Sequence, residues 1–285
     1  APLSPTCTNL HELDPNEDCI VWFGHSSYYM QVGGKRLLVD PVFSGHASPV
    51  SFSTRSFNGT EVYTAADFPE IDYLFITHDH YDHLDFKTVT ALRPKVKRVI
   101  TALGVGAHLE KWGYDTLSIT ERDWWETIAL EPGFTVHTAP SRHFSGRTFR
   151  RNVTLWTSFV LEANGRRIYL GGDSGYDSHF KAVGEKYGPF DIAILECGQY
   201  NEYWQNIHMM PEETVQAARD LQAAVLFPVH WSKFALSLHD WDEPITRVTA
   251  EAARMNQPLI HPPIGTVVAL SQLHRHNTAW WQQHQ

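Results

Sequence analysis

The chain has 285 residues, 42% of them hydrophobic, and a formal net charge of −9 at pH 7. That apolar content can fill a substantial core, while the negative charge argues against a nucleic-acid backbone as substrate or partner. No apolar run approaches the roughly 18 residues needed to span a bilayer, and Pro, Gly and Ser are scattered as turn punctuation without a linker or a repeat.

In chain order, residues 1–19 read as an N-terminal extension and 20–285 as a single domain. Strands are predicted near 20–23, 28–32 and 36–40, with Gly33-Gly34 as the hairpin turn between the last two. Strands near 73–76, 97–101, 134–139, 167–170, 191–196 and 224–229 follow, mostly alternating with helices near 86–92, 105–112, 178–187, 211–221 and 243–255. Asp123-Trp124-Trp125-Glu126 has no clear place in this series. β-Hairpins mixed with βα units imply two sheets covered by outer helices, an α/β architecture.

The apolar run Ile71–Ile76 ends in Thr77 and opens into His78-Asp79-His80-Tyr81-Asp82-His83. Read as H-x-H-x-D-H, its three imidazoles and the carboxylate of Asp82 match what divalent first-row metals, zinc above all, take as ligands. In an extended turn His78 and His80 point the same way and can converge on one ion. Asp82 and His83 follow where the chain bends and can face a second. Two paired ions want about three further donors, and three candidates stand in equivalent settings. His143 follows the alternating strand 134–139, Asp173 follows 167–170 and the Gly171-Gly172 pair, and His230 follows the apolar run 224–229. In open α/β folds ligand-binding groups gather at the carboxyl ends of strands, which gives all of these donors one address.

This series resembles the metallo-β-lactamase superfamily of binuclear hydrolases, in its N-acyl-phosphatidylethanolamine-hydrolysing phospholipase D-like branch. The likeness extends through Trp22-Phe23-Gly24-His25-Ser26, Val39-Asp40-Pro41, Asp123-Trp124-Trp125-Glu126, Gly171-Gly172-Asp173-Ser174-Gly175 and Pro211-Glu212-Glu213, over about residues 20–270. The resemblance implies a four-layer αββα sandwich. It implies that His78, His80 and His143 bind one zinc, that Asp82, His83 and His230 bind the other, and that Asp173 bridges them; manganese or iron can occupy such sites. A metal-bridging hydroxide would then be the nucleophile, with Asp82, Asp173 and His208 as the catalytic residues. The implied activity is hydrolysis of a small-molecule or lipid phosphodiester, with a lactonase for phosphorylated sugar lactones, or a non-catalytic metal-binding protein, as alternatives. A homodimer is suggested by the resemblance alone.

Several residues carry two readings. Arg142, Arg147, Arg150 and Arg151 surround His143 and form either an anion clamp for phosphate or a solvated loop. His208 stands either at the mouth of the active site or at the surface of a helix start, and His25 either orients a ligand or is structural. Asp40 reads as a loop-fixing carboxylate. Trp124, Trp125, Tyr200, Tyr203, Trp204 and Trp231 flank motif segments, so Tyr200 and Trp204 are expected to wall an apolar part of the substrate. Cys7, Cys19 and Cys197 are odd in number and widely spaced, which favours reduced thiols and a cytoplasmic location. The chain starts at Ala1, so removal of an upstream signal or anchor is compatible with that reading.

Overall fold

The computed structural model describes residues 3–147, 150–273 and 278–284. The chain lays down β1 (Cys19–Trp22), β2 (Tyr28–Val32), β3 (Lys35–Val39) and β4 (Ile71–Ile76), then helix α1 (Phe86–Leu92), β5 (Val96–Ala102), α2 (Gly106–Lys111) and β6 (Ile119–Arg122). There follow β7 (Thr127–Glu131), β8 (Phe134–Ala139), β9 (Ser158–Ala163), β10 (Arg166–Leu170), α3 (His179–Tyr187) and β11 (Ile192–Glu196). The series closes with α4 (Pro211–Asp220), β12 (Leu226–Val229), α5 (Glu243–Met255) and β13 (Val267–Ala269). Among the described residues these strands make one sheet of order β13-β1-β2-β3-β4-β5-β6 and another of order β12-β11-β10-β9-β8-β7.

Strand period 2 explains the layering. In β4, Tyr73 and Phe75 join the core shared with the second sheet, and Phe75 meets Phe159 of β9 edge-on at 5.2 Å. Leu74 and Ile76 face the other way, into a separate core with Val89 and Leu92 of α1 and Leu109 of α2. Burial on both faces is why β4 reads as a continuous apolar run rather than an alternation. Phe180 and Val183 of α3, Val215 and Ala218 of α4 and Ile245 and Val248 of α5 pack with the second sheet. The result is helix, sheet, sheet, helix, the four-layer α/β sandwich that the sequence implies.

All of the predicted strands and helices form, within a residue or two of their expected ends. Gly33 and Gly34 take φ of 54° and 75°, the left-handed pair that a two-residue hairpin needs. β6, β7, β9 and β13 were not anticipated. Asp123-Trp124-Trp125-Glu126 is the crossing between the sheets, since β6 is the edge of the first and β7 the edge of the second. Its turn is closed by Glu126, which accepts from the backbone N–H of Asp123 at 2.9 Å, and by Trp125 at φ 68°. The N-terminal segment lies along the body of the protein: Leu3 N–H donates to Asn58 O and Thr6 N–H to Ile264 O.

β3, β4 and β5 are mutually parallel, as are β10, β11 and β12, and β8 runs the same way as β10 because each is antiparallel to β9. The carboxyl ends of β4, β8, β10 and β12 therefore deliver the 78–83 loop, His143, Asp173 and His230 to one edge of the sandwich.

Candidate metal centre

At this edge His25 and His230 clip the sheets together: His25 N–H donates to Trp231 O and His230 N–H to His25 O, each at 2.8 Å. His25, Asp40, Gln199 and His230 all hold left-handed backbones, with φ of 52°, 41°, 63° and 69°. Each such residue costs on the order of 1–3 kcal/mol, a strain that typically persists where surrounding structure needs the side chain aimed in one direction.

His78, His80, His143 and Asp173 form a first cluster, their ligand atoms all within 4.8 Å of one another. His78 Nε2 and His143 Nε2 lie 3.0 and 3.1 Å from His80 Nδ1. The outward nitrogens decide the tautomers. Thr77 Oγ1 gives its hydrogen to Asp40 and so accepts from His78 Nδ1, while Ile207 O accepts from His143 Nδ1 at 2.9 Å. Both Nε2 atoms then turn lone pairs inward, toward each other and toward Oδ2 of Asp173 at 3.8 and 3.7 Å. Converging lone pairs repel unless a cation lies between them, so the donor set fits a metal. Burial holds His78, His80 and His143 below the ordinary imidazole range, which keeps them neutral as ligands must be.

A second cluster joins His25, Asp82, His83 and His230 within the same span. Asp173 links the two: its Oδ2 lies 3.1 Å from His83 Nε2 and its Oδ1 3.2 Å from His230 Nδ1. His230 Nε2 and Asp173 Oδ1 are buried without a hydrogen-bond partner, which again fits atoms that serve as metal ligands. Burial opposes charge on His83, yet Asp173, Asp82 and Asp40 together outweigh it and push His83 well up. Those carboxylates are the negative charge that a metal would neutralise. Asp40 does more than fix a loop: it accepts from Thr77 N–H and Oγ1–H and meets His83 Nδ1 at 2.8 Å, so it orients His78 and His83 together. His25 donates toward Asp82 Oδ2 at 2.8 Å and thereby holds that carboxylate in place.

Over these clusters opens a cavity of about 200 Å³, lined by His80, Asp82, His143, Asp173 and His208 on the polar side and by Phe144, Gln199, Trp204, Ile207 and Leu236 on the other. A larger groove, near Arg166, Arg167 and Asp191, lies at the opposite end of β10 and has no such donor cluster among its lining residues. His208 is thus at the mouth of the site and not on an open surface. Its partner is Glu196, which the sequence reading missed, although a lone carboxylate ending the apolar strand Ile192–Leu195 was a signal. Burial works against the charge of His208, but Glu196 outweighs it and pushes the imidazole up to about 9.

The expected clamp and aromatic wall are placed differently. Arg142 is exposed and reaches Asp177 and Tyr176 O. Arg147 does not line the cavity: its guanidinium donates to Asp79 O and Leu84 O and covers the Tyr81 ring at 4.2 Å, because those carbonyls at the two ends of the 79–84 loop face it. Tyr200 is turned away, its hydroxyl on Glu243 at 2.7 Å, whereas Trp204 does line the cavity. Trp231 is core, stacked on Trp22 at 5.2 Å, Trp125 stacks on Tyr187 and Tyr203 is almost fully exposed. Arg147→Ala should therefore lower stability by about 2 kcal/mol, the scale of a charged hydrogen-bonded group, and weaken hydrolysis of charged and neutral substrates alike. A melting curve and a two-substrate comparison check this; a loss confined to anionic substrates would restore the clamp.

Two stacked sheets carrying a His/Asp cradle at their common edge define a metallo-β-lactamase fold with a candidate dinuclear centre. The metallo-beta-lactamase fold protein YhfI from Bacillus subtilis superposes with a TM-score of 0.61 at 17% identity, over 88% of this chain and 99% of that one. The family model of the beta-lactamase superfamily domain matches residues 35–231, and the chain belongs to that superfamily. An uncharacterized protein of Mycobacterium tuberculosis is 41% identical over 257 residues, 88% of this chain and 68% of that protein. N-acyl-phosphatidylethanolamine-hydrolyzing phospholipase D 1 of Caenorhabditis elegans is 30% identical over 237 residues, 77% of this chain and 65% of the worm protein. The chain is of the metal-dependent hydrolase class. No helix among the described residues is long and apolar enough to cross a membrane.

Proposed function

We propose that the protein is a binuclear, zinc-type phosphodiesterase acting on a lipid or small soluble diester. The carrying observation is the pair of donor clusters joined through Asp173. His78, His80, His143 and Asp173 would hold one ion and Asp82, His83, His230 and Asp173 the other, with the imidazole-rich set favouring zinc. Bound metal would supply an acidified water and stabilisation of negative charge on phosphorus. His208, which lines the cavity, would touch a phosphate oxygen or the leaving oxygen.

The cavity wall narrows the substrate class. Among the described residues it has no lysine or arginine, so only the metals and His208 are available to meet anionic charge. One negative charge, as in a diester, suits that supply. A phosphorylated sugar lactone reacting at its ring carbonyl would put its phosphate remote from the metals, with no lysine or arginine among the described lining residues to receive it. Phe144, Trp204, Ile207 and Leu236 offer an apolar wall for the remainder of the diester. The worm relative's name, which specifies an N-acyl phospholipid, is compatible with this chemistry.

The test is elemental analysis of protein never exposed to chelator, together with turnover of bis(p-nitrophenyl) phosphate, glycerophosphodiesters, N-acyl phospholipids and lactones. About two zinc-like ions per chain and preference for a diester are expected. Well under one ion would sink the binuclear reading. Lactones faster than every diester would replace it with a lactonase, and bound metal without any turnover would leave a binding protein.

A further inference from the structure

Strand β11 is apolar from Ile192 to Leu195 and ends on Glu196, which is fully buried. A buried carboxylate needs donors for both oxygens. Oε1 accepts from the backbone N–H of Ser174 at 2.9 Å and of Met209 at 3.2 Å. Oε2 lies 2.8 Å from Nδ1 of His208. One side chain thus ties the residue after Asp173, the residue after His208 and the His208 ring. With Nδ1 engaged by the carboxylate, Nε2 is the ring nitrogen that His208 has left for the cavity it lines.

We infer that Glu196 is a positioning residue that holds the proton on Nδ1 of His208 and fixes the ring orientation, so that Nε2 faces the substrate. The inference rests on the proposed reading of this cavity as the hydrolytic site. Glu196→Gln tests it because the backbone leaves the new amide one orientation. Two N–H groups converge on Oε1, so the amide oxygen must stay there and the NH2 falls opposite Nδ1. An NH2 can only donate. Nδ1 must then accept, and the ring proton resides on Nε2.

The experiment uses zinc-loaded protein with 15N-labelled histidine and long-range proton–nitrogen spectra, with the His208 signals found by difference from His208→Ala. Wild-type His208 should show a protonated Nδ1; in Glu196→Gln that nitrogen should be unprotonated and Nε2 protonated. On the best substrate, kcat of Glu196→Gln should fall by at least about tenfold at unchanged zinc content, as for a catalytic imidazole that has lost its Nδ1 proton and the carboxylate that oriented it. In a His208→Ala background the same substitution should cost under about twofold, because its route is then gone. An unprotonated Nδ1 in the wild type overturns the inference and needs no variant to fold. Equal losses in both backgrounds, or loss of zinc, overturn it too and make Glu196 a tie between loops. If no phosphodiester is hydrolysed, the proposed function fails by itself, and the spectra together with the cycle, run on whichever ester or lactone does turn over, still decide Glu196.

Discussion

Asp173→Asn should cut hydrolysis by at least about a hundredfold, the scale of losing a main electrostatic element of an active site. The geometry gives the reason. Asp173 Oδ2 faces His78 and His143 of the first cluster and His83 of the second, while Oδ1 faces His230 of the second, so both clusters share the one carboxylate. His230 and His83 hold Asp173 ionised, well below the usual carboxylate range, although burial pulls the other way. Asparagine keeps the volume but removes the charge and turns one oxygen into an N–H donor, which repels a cation. Metal content and turnover measured together check the outcome. Near-normal turnover at matched metal content would show that the two clusters do not depend on a shared carboxylate.

Gly172→Ala should destabilise the fold by about 1–3 kcal/mol, as overpacking of a closed site does, and weaken metal binding by about tenfold or more. A Cβ on Gly172 would stand 2.8 Å from Thr157 O and 2.9 Å from Thr77 Cβ. Thr77 cannot yield cheaply, because its N–H and hydroxyl are both bonded to Asp40 and its Oγ1 receives His78 Nδ1. Displacing it rotates His78 out of the first cluster. Calorimetry and a zinc titration read the two effects separately. An unchanged melting point and zinc affinity would mean that β10 can shift without moving Thr77.

The elements that the sequence revealed are those whose burial pattern is complete within a few residues. β4 is apolar on both faces, and α5 repeats its apolar positions at helical spacing, so each announces itself locally. The edge strands β6 and β7 are short and half-exposed, and β13 has three residues, so none carries enough period to stand out from a loop. β9 is a short apolar stretch, Phe159-Val160-Leu161, that becomes a strand through its pairing with β8 and β10 on either side. Asp123–Glu126 had no clear place in the predicted series because it is a corner between the sheets, whose turn and ring contacts stay away from the cavity.

What the sequence by itself determined is the identity of the donors and their address, since a carboxylate or imidazole following a buried strand must emerge at that strand's end. Only the tertiary structure decided which donors meet. His80 and His143 are 63 residues apart in the chain, and His25 and Asp82 are 57 apart, yet each pair is at hydrogen-bond distance. The fate of the arginines was decided there too: Arg147 is engaged by two carbonyls of the 79–84 loop, whose approach no local pattern encodes. Glu196 is the same case, a carboxylate whose three donors come from loops distant in sequence. The physical reason is common to all of them. Burial follows the periodicity of neighbouring residues, whereas hydrogen-bond partners and charge neighbours depend on where separate strand ends stop in space.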